Sequence, residues 1–600
     1  MRLSSFAWLI TFGGLLSGTA ATIAEPQRPN IVFILADDLG AVDLGCYGSK
    51  YHKTPNLDRL ATQGVRFTQA YAAAPVCSPT RAAIMTGKYP ARLNLTDYLP
   101  GIGDLPAHKL LRPTINMELP ATETTIAQIL KKEGYVTAHM GKWHLGGKGH
   151  SPLERGFDTN IGGDQAGQPP SYFAPYRGKG KRDLPGLEQA PDGEYLTDRL
   201  TDEAEKFIDK NKDKPFFLYL PHFAVHTPLQ AKADLIAKYK PGGAGSQGNP
   251  TYAAMLESLD DSVGRIVKKL DELKLSEKTI VIFTSDNGGQ CIVGGKDQPP
   301  TFNGPLRDGK GFLYEGGIRV PLIVKWPGVG KAGTTIAEPV CSIDFFPTLI
   351  EAVSRETLSS VKVDGVSLTP LFKGEPFKRD ALYWHYPHYH LGKPSGAIRA
   401  GDWKMIEFYD NNRRELFNLK NDAGEGRNLS ADKPEMVQEL STRLAAWRES
   451  VGAKMMKPNL NYAPNPQAND GSILLHCKWA EVHGVMLRYE PLPHKNTLGY
   501  WVRVEDWASW EFTVTKPGKF TIEVLQGCGK GQGGSEVDVS MGEQKVTFIV
   551  EDTGHFQNFK PRDIGTVTIE KAGRYTLNVK PKKKAVAAVM DVRSITLKPN

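Results

Sequence analysis

Residues 31–38 read IVFILADD, an apolar run that passes directly into two aspartates. The same arrangement returns at residues 279–288, where TIVIFTSDNG runs from apolar side chains into an aspartate, an asparagine and a glycine. Short runs of this kind, rich in β-branched and aromatic residues, predict buried strands. Ligands of open α/β sheets bind beyond the carboxyl ends of the strands, so these two ends are where we expect a functional site.

Short apolar runs alternate with longer amphipathic stretches from about residue 30 to residue 450. Further runs lie at residues 135–138, 216–220 and 318–324, and residues 56–68 and 252–273 carry apolar side chains at helical spacing. This alternation predicts an α/β fold in which a mostly parallel sheet is flanked by helices.

The composition changes after residue 453. Residues 454–470 are rich in Pro, Asn and Ala and predict a linker, whereas residues 471–600 contain short β-rich segments separated by turns and predict an all-β sandwich. The predicted organisation is a leader at 1–24, the α/β domain at 25–375, a small C-terminal α+β subdomain at 376–453, the linker at 454–470 and the sandwich at 471–600.

The first residues have the pattern of a secretory signal peptide. Arg2 precedes an apolar run at residues 6–16, and small residues up to Ala24 suit cleavage. No later run approaches the roughly 18 apolar residues that a membrane span needs. The sequence therefore predicts a secreted or periplasmic protein without stable membrane insertion.

The charge balance is mildly positive. The chain has 74 Lys and Arg against 66 Asp and Glu, a net charge of +8 over 600 residues. This excess is too small to indicate a nucleic-acid-binding protein, but it suits an anionic substrate that is held by local cationic groups. We predict no nucleic-acid partner, and the composition indicates no particular oligomeric state.

The two strand ends offer a set of oxygen ligands. Asp37, Asp38, Asp286 and Asn287 supply three carboxylates and an amide oxygen, which suit a hard cation such as Ca²⁺ or Mg²⁺. Cys and His at zinc spacing do not accompany them. Either pair alone is more often a helix cap or a turn former. Two pairs at two strand ends favour the metal site.

Basic side chains follow other predicted strands. Lys142 and His144 come after the run at 135–138, His226 follows the run at 216–220, and Lys310 lies in a Gly-rich loop before the run at 318–324. Taken singly, such residues are usually solvated charges or hydrogen-bonded structural histidines. Their joint placement beside an oxygen-rich site favours a trap for an oxyanion.

The sharpest short motif is CSPTR at residues 77–81. An ordinary half-buried cysteine before a helix is one interpretation, with Pro79 in the first turn. The alternative is functional, because Cys77 lies at a predicted helix start that favours an anion, and Arg81 faces the same side one turn later.

Together these motifs resemble the formylglycine-dependent (type I) sulfatases of the alkaline-phosphatase-like superfamily. The resemblance runs from about residue 29 to residue 450 with every motif in family order. It implies that a formylglycine-generating enzyme converts Cys77 to formylglycine (3-oxoalanine), whose hydrate is the nucleophile. It also implies that one Ca²⁺ is held by Asp37, Asp38, Asp286, Asn287 and the modified residue 77. The catalytic residues around nucleophile and sulfate would be Cys77, Arg81, Lys142, His144, His226 and Lys310.

The resemblance implies a hydrolase of sulfate esters, with a sulfated glycan as the favoured substrate. Trp384, His385 and His388 lie in an aromatic run that suits sugar stacking and hydrogen bonding, although packing explains such a run equally well. Residues 147–150 and 167–176 are further candidates for the pocket wall. In the sandwich, Tyr500, Trp501, Trp507 and Trp510 form a carbohydrate platform in one interpretation and fill the core in the other.

Two other functions remain open at this point. One is a phosphodiesterase or phosphonate hydrolase with the same metal cradle, and the other is a non-catalytic glycan-binding protein derived from an enzyme. The latter is disfavoured because every expected active residue is present.

Overall fold

The computed structural model describes residues 28–177, 182–243, 245–292, 298–354, 359 and 361–600. The predicted leader at residues 1–24 lies outside the described residues. Within the described part of the chain, no helix has both the length and the apolar character that crossing a bilayer requires.

A nine-stranded mixed sheet forms the centre of the first domain. Its strands are β1 Asn30–Ala36, β2 Val65–Tyr71, β3 Val136–Met140, β4 Thr159–Ile161, β5 Phe216–Pro221, β6 Thr279–Ser285, β7 Arg319–Lys325, β8 Thr334–Ile336 and β9 Val340–Cys341. Their order is β9-β2-β7-β6-β1-β5-β3-β4, with β8 also paired to β2. Every pair is parallel except those that β7 makes with β6 and β2. The predicted mostly parallel sheet is confirmed.

Both faces of this sheet are covered, which explains the uninterrupted apolar character of β1. Successive side chains of a strand point to opposite faces. Val32 and Ile34 accordingly belong to one core, and Ile31 and Phe33 belong to the core on the other face. A strand buried on both sides needs apolar residues at every position.

Helices supply both covering layers. Their bounds are α1 Pro55–Gln63, α2 Cys77–Thr86, α3 Ile126–Lys132, α4 Leu196–Lys210, α5 Ala233–Ile236, α6 Pro250–Glu272, α7 Glu315–Ile318, α8 Phe345–Val353, α9 Thr369–Lys373 and α10 Pro434–Ser450. Residues of α1, α4 and α6 pack on one face of the sheet, and residues of α2, α3 and α8 pack on the other.

The helix predicted over residues 56–68 is wrong in its second half. Helix α1 ends at Gln63, and β2 begins at Val65. Gly64 separates the two elements. Beyond it Val65 and Phe67 are buried, whereas Arg66 and Thr68 are only partly buried, so the period has changed from helical to two. The long helix predicted over residues 252–273 is confirmed by α6.

A small antiparallel sheet follows, as the predicted α+β subdomain requires. Its strands are β10 Leu382–Tyr386, β11 Ser395–Ala400, β12 Trp403–Phe408 and β13 Arg414–Asn418, paired in that order. Leu440, Leu444 and Trp447 of α10 share its core. The segment predicted as a linker is anchored to the first domain, since Lys457–Pro458 pairs with Leu110–Leu111.

Two antiparallel sheets form the last part of the chain. Their strands are β14 Ile473–His476, β15 Glu481–His483, β16 Arg488–Glu490, β17 Thr497–Gly499, β18 Trp507–Val514, β19 Gly518–Cys528, β20 Glu536–Met541, β21 Gln544–Ile549, β22 His555–Ile569, β23 Gly573–Lys583 and β24 Asp591–Pro599. One sheet has the order β16-β17-β24-β19-β22 with β14 beside β24, and the other has the order β15-β18-β23-β20-β21.

Residues of both sheets contribute to one core, so the all-β sandwich is confirmed. Trp501 and Trp510 lie in that core and donate their indole N–H groups to main-chain carbonyls, so these two rings fill the sandwich. Tyr500 lies at the surface.

Candidate active site

The two decisive strand ends lie side by side. Strands β1 and β6 are parallel neighbours, with Ala36 opposite Ser285. The next residues of each strand therefore meet. The main-chain N–H of Asp38 donates to Asp286 Oδ1 over 3.3 Å, and Asn287 Nδ2 donates to Asp38 Oδ1 over 2.8 Å.

Three buried cations pair with the three carboxylates. Lys142 Nζ lies 2.7 Å from Asp37 Oδ2, and Lys310 Nζ lies 2.8 Å from Asp38 Oδ2. The Arg81 guanidinium binds Asp286 Oδ2 through Nε at 2.9 Å and through its NH2 nitrogen at 2.8 Å. All six side chains are below one-tenth exposed, so each charge depends on its partner for stabilisation. We call these six residues the strand-end cluster.

Two oxygens of this region have no partner among the described residues. Asp37 Oδ1 and Asn287 Oδ1 are buried and accept no hydrogen bond. Ligand atoms of Asp37, Asp38 and His226 also lie within 4.8 Å of one another. Buried acceptors rarely stay unsatisfied, and converging carboxylate and amide oxygens are what Ca²⁺ binds. The residues present therefore fit a hard cation.

The two adjacent aspartates have opposite pKa shifts. Burial and the Asp286 carboxylate raise the pKa of Asp37 to about 8, although the charges of Lys142 and Arg81 act to lower it. Burial also opposes ionisation of Asp38, but Lys310 and His226 outweigh it and hold the Asp38 pKa below its ordinary value. A divalent cation beside Asp37 would favour its ionised form and lower that pKa again.

Cys77 is the first residue of α2 and is buried at the floor of a cavity. Its Sγ lies 3.4 Å from His144 Nδ1. Burial is the main cause that raises the pKa of the Cys77 thiol above its ordinary value, so at neutral pH this side chain is a thiol.

The orientation of His144 is fixed on its far side. His144 Nε2 lies 2.7 Å from the carbonyl oxygen of Leu99. A carbonyl only accepts, so Nε2 carries the proton, and Nδ1 faces Cys77 as an acceptor. Burial and Lys142 hold the pKa of His144 well below its ordinary value. The backbone of His144 has a φ of 59°, in the left-handed region. Gly141 lets the loop approach the main chain of Pro221, because a Cβ at residue 141 would lie 2.0 Å from the Pro221 carbonyl oxygen.

His226 contacts the carboxylate of Asp38. Its Nε2 is 3.5 Å from Asp38 Oδ2, and its Nδ1 lies 2.7 Å from the carbonyl oxygen of Thr227. Burial and Lys310 lower the pKa of His226 to about 3, so the ring is neutral at physiological pH. Its Nδ1 therefore carries the proton, and Nε2 is free to accept or bind.

The cavity above Cys77 has a volume of about 250 Å³. Its wall is formed by Cys77, Tyr98, Leu99, His144, Gly167, Gln168, His226, Gln290, Lys310 and His390. Four of the predicted catalytic residues therefore face one space. Arg81 and Lys142 do not line it; they lie beneath, against the carboxylates of the strand-end cluster.

The structure does not bring the predicted sugar-binding residues to this cavity. Trp384, His385 and His388 are 1%, 5% and 1% exposed. The Trp384 indole donates to a main-chain carbonyl, both His385 nitrogens contact oxygen atoms of the protein, and His388 Nε2 contacts a buried threonine. All three side chains are therefore buried with partners inside the protein.

Sequence reasoning missed three residues of the cavity wall: Tyr98, Leu99 and Gln290. Gln290 lies three residues beyond Asn287, and this spacing from a strand end could have identified it. His390 is the last residue of the aromatic run that was singled out for sugar binding, and it lines the cavity from beyond the end of β10. Tyr98 belongs to no motif. Of the candidate segment 167–176, Gly167 and Gln168 line the cavity, and residues 147–150 do not.

Comparison with known proteins agrees with this geometry. A family model described as "Sulfatase" matches residues 29–354, one described as "N-sulphoglucosamine sulphohydrolase, C-terminal" matches residues 308–450, and a domain of unknown function (DUF5077) matches residues 490–600. The steryl-sulfatase of Mus musculus is 33% identical over 485 residues, covering 66% of this chain and 76% of its own.

A sulfatase of Formosa agariphila is 34% identical over 561 residues, covering 78% of this chain and 98% of its own. Among solved structures, Ps i-CgsB in complex with k-i-k-neocarrahexaose is 33% identical with a TM-score of 0.60, over 70% of this chain and 93% of that one. The fold is thus that of the alkaline-phosphatase-like hydrolases. The chain belongs to the sulfatase family and is a sulfuric ester hydrolase.

Proposed function

We propose that this protein removes O-sulfate groups from a carbohydrate, using a hydrated formylglycine made from Cys77 and one bound Ca²⁺. One observation carries the proposal. Cys77, His144, His226 and Lys310 face a single cavity, and Lys310 and His226 also contact Asp38 at the strand ends, where Asp37 Oδ1 and Asn287 Oδ1 are buried without partners among the described residues.

Asp37, Asp38, Asp286, Asn287 and the modified residue 77 would hold the Ca²⁺. When bound, the cation supplies positive charge next to the sulfate oxygens and favours the ionised form of a nucleophilic hydroxyl. The two unpartnered oxygens support this ligand set, as does the all-oxygen character of the side chains at the strand ends.

A hydrated aldehyde at residue 77 supplies one hydroxyl for attack on sulfur and a second hydroxyl whose deprotonation expels inorganic sulfate. His144 suits the base of the second step. Its Nδ1 is unprotonated, lies 3.4 Å from Cys77 Sγ and is held there by the Nε2 hydrogen bond to Leu99.

Lys310 and His226 suit the leaving-group side. Burial acts to lower the pKa of Lys310, but the negative charges beside it, Asp38 above all, raise that pKa above its ordinary value. Lys310 therefore stays an ammonium, which stabilises a developing alkoxide. The neutral His226 gains basicity when an anionic sulfate ester lies beside it, because a nearby negative charge raises a histidine pKa. It then holds a proton that the leaving oxygen takes.

Arg81 and Lys142 act through other groups. Arg81 holds the Asp286 carboxylate and also donates to the Lys142 carbonyl over 2.8 Å, while the Lys142 ammonium holds Asp37. Both are positioning residues that keep the metal ligands aligned, and their charge also offsets the repulsion among three carboxylates.

The carbohydrate substrate is supported by two findings. The matched Ps i-CgsB structure is described as a complex with a neocarrahexaose, and residues 308–450 match the C-terminal model of an N-sulphoglucosamine sulphohydrolase. The proposed substrate is therefore a sulfated glycan or a small sulfate ester. The proposed maturation partner is a formylglycine-generating enzyme. Export by the leader at residues 1–24 is part of the same proposal, and sequencing the mature N-terminus tests it.

A pair of matched esters tests the reaction. Protein co-produced with a formylglycine-generating enzyme is assayed with 4-nitrophenyl sulfate and with bis(4-nitrophenyl) phosphate. We expect a higher kcat/KM on the sulfate with stoichiometric release of inorganic sulfate. A preference for the phosphodiester would support the phosphodiesterase alternative, and inactivity on both, with binding of sulfated glycans retained, would support the non-catalytic one.

A further inference from the structure

A second cavity, of about 270 Å³, lies between the sulfatase part of the chain and the sandwich. The first domain and its subdomain contribute Arg307, Phe312 and Tyr389, and the sandwich contributes Lys478, Trp479 and Tyr489. We call this space the interdomain cavity.

The interdomain cavity adjoins the catalytic cavity. His390 lines both, and Gly311 of the interdomain cavity directly follows Lys310 of the catalytic one. Burial and Lys310 lower the pKa of His390 to about 4, so a neutral imidazole separates the two spaces. A substrate longer than one ring would therefore extend from Lys310 past His390 into the second space.

The ammonium of Lys478, in the wall of the interdomain cavity, is not neutralised by any carboxylate that the structure describes. Among the described residues its Nζ makes no hydrogen bond or ion pair, and its one contact there is with the Trp479 ring, 5.2 Å away. The other cations of the wall are paired: Arg307 with the wall residue Asp308 at 3.9 Å, Lys393 with Asp410 at 3.4 Å, and Arg413 with Glu415. A partly buried ammonium without an anion favours binding of a negatively charged group.

Aromatic rings form part of the remaining wall, beside aliphatic side chains. The Tyr389 and His108 rings are stacked at 4.3 Å, and the Trp479 ring lies 6.3 Å from the His108 ring. Flat rings with polar edges are the surfaces that bind sugar rings. At about 270 Å³ the space is near the lower limit of small-molecule pockets, which suits one ring rather than a long chain.

The sandwich is held firmly enough to form half of such a site. Asn411 Nδ2 donates to Glu481 Oε2 over 2.5 Å, and Arg488 donates to the carbonyl of Gly426 over 3.3 Å. Both bonds join the sandwich to the sulfatase part of the chain. They fix Trp479, which lies in the short turn just before Glu481, relative to the first domain.

We propose that the interdomain cavity binds the neighbouring, anionic ring of a sulfated oligosaccharide, with Lys478 on its charged group and Trp479 along its face. This rests on the proposed function and deepens it. The sandwich then acts as part of the substrate site and not as a separate module.

The test separates the two cavities by substrate length. The assay compares the wild-type protein with Lys478→Met, with Lys478→Arg and with the control Lys560→Met, which changes an exposed lysine of the same sandwich. The substrates are 4-nitrophenyl sulfate and hexasaccharides from carrageenan and from heparin. Lys478→Met should lower kcat/KM on the hydrolysed hexasaccharide about tenfold or more, mainly through KM, because a charge-assisted contact is lost. Activity on 4-nitrophenyl sulfate should not change. Lys478→Arg and Lys560→Met should keep most of both activities.

Equal losses on both substrates, or no loss on the hexasaccharide, would overturn the inference. If the wild-type protein hydrolyses neither 4-nitrophenyl sulfate nor a hexasaccharide, the proposed function fails. Calorimetric titration of Cys77→Ala protein with the hexasaccharides then tests binding in the interdomain cavity on its own. Binding that disappears with Lys478→Met supports the interdomain cavity. Undiminished binding, or none to either hexasaccharide, contradicts it.

Discussion

The protein contains two clusters of buried charge, and their contacts differ. The strand-end cluster has three carboxylates and three cations. The other, the glutamate triad, consists of Glu315, Lys404 and Glu425. Lys404 Nζ lies 2.9 Å from Glu315 Oε1 and 2.8 Å from Glu425 Oε1, and all three side chains are fully buried. Glu315 Oε2 also accepts from the Tyr71 hydroxyl over 2.8 Å.

The difference lies in what each cluster leaves unpaired. In the triad each carboxylate is within 3 Å of the one ammonium, and the Glu425 carboxylate additionally accepts the Glu315 N–H over 2.7 Å. The strand-end region keeps two oxygens with neither a hydrogen bond nor an ion pair, Asp37 Oδ1 and Asn287 Oδ1, and it adjoins a cavity. Buried charge alone therefore does not identify a site. The unpaired oxygens and the adjoining cavity distinguish the strand-end region from the triad.

The largest expected effect is at the nucleophile. Cys77→Ala should lower kcat on 4-nitrophenyl sulfate by at least about 10,000-fold, as removal of a catalytic nucleophile does. The melting temperature should stay near that of the wild type, because the change is small. The control is Cys528→Ala in the sandwich, a buried free thiol that should leave kcat intact. Substantial turnover by Cys77→Ala would assign the nucleophile elsewhere.

Removing one lysine from each cluster contrasts them directly. Lys310→Met should lower kcat/KM about 100- to 1,000-fold, since it removes charge from the leaving-group side. Lys404→Met should leave the turnover of the folded protein unchanged but lower the free energy of unfolding by about 3–5 kcal/mol, because it leaves two buried carboxylates without their cation. Urea denaturation and steady-state kinetics on both variants measure this. The contrast breaks down if Lys404→Met folds stably but loses turnover.

Calcium should stabilise the protein through one cluster only. At 100 times its dissociation constant, Ca²⁺ should add about 2.7 kcal/mol to the free energy of unfolding. Asp37→Asn should weaken this effect by removing a ligand charge, whereas Glu425→Gln in the triad should keep it. Thermal melts of chelator-treated protein with and without Ca²⁺ test both variants. An equal loss in the two would mean that the ion acts elsewhere.

A pH-dependent effect concerns a buried carboxylate outside both clusters. Burial and Glu490 raise the pKa of Asp591 from 3.8 to about 8. Between these values the folded chain holds a proton that the unfolded chain has released, so the stability contributed by Asp591 falls as pH rises. Asp591→Asn lacks this titration, and its melting temperature should decline less from pH 4 to pH 8 than that of the wild type. Parallel curves would contradict the assignment.

The strand ends were predictable from the sequence because apolar runs and the polar residues after them are local features. Parallel strands bring their carboxyl ends to one edge, so Asp37 and Asp286 could be placed together before any coordinates. Whether an aromatic side chain faces a core or a cavity depends on the tertiary structure and not on its neighbours in the sequence. Trp384 and Trp510 are both in cores, whereas Trp479 lines a cavity, and nothing in their neighbouring residues separates them.

The interdomain cavity was beyond prediction for the same reason. Its walls come from four segments that are far apart in the sequence, and no motif joins Arg307 to Lys478. The change of period after Gly64 was local and could have been seen, since Val65 and Phe67 alternate with polar residues.

The most direct test is the mass of the peptide that contains residue 77, from protein made in its native host or with a formylglycine-generating enzyme. We predict that sulfur is replaced by oxygen with the loss of two hydrogens, and that the extent of this change follows specific activity across preparations. Cys291, buried in a nearby loop, should remain a thiol in the same digest. Fully active protein that retains an unmodified Cys77 would contradict the account.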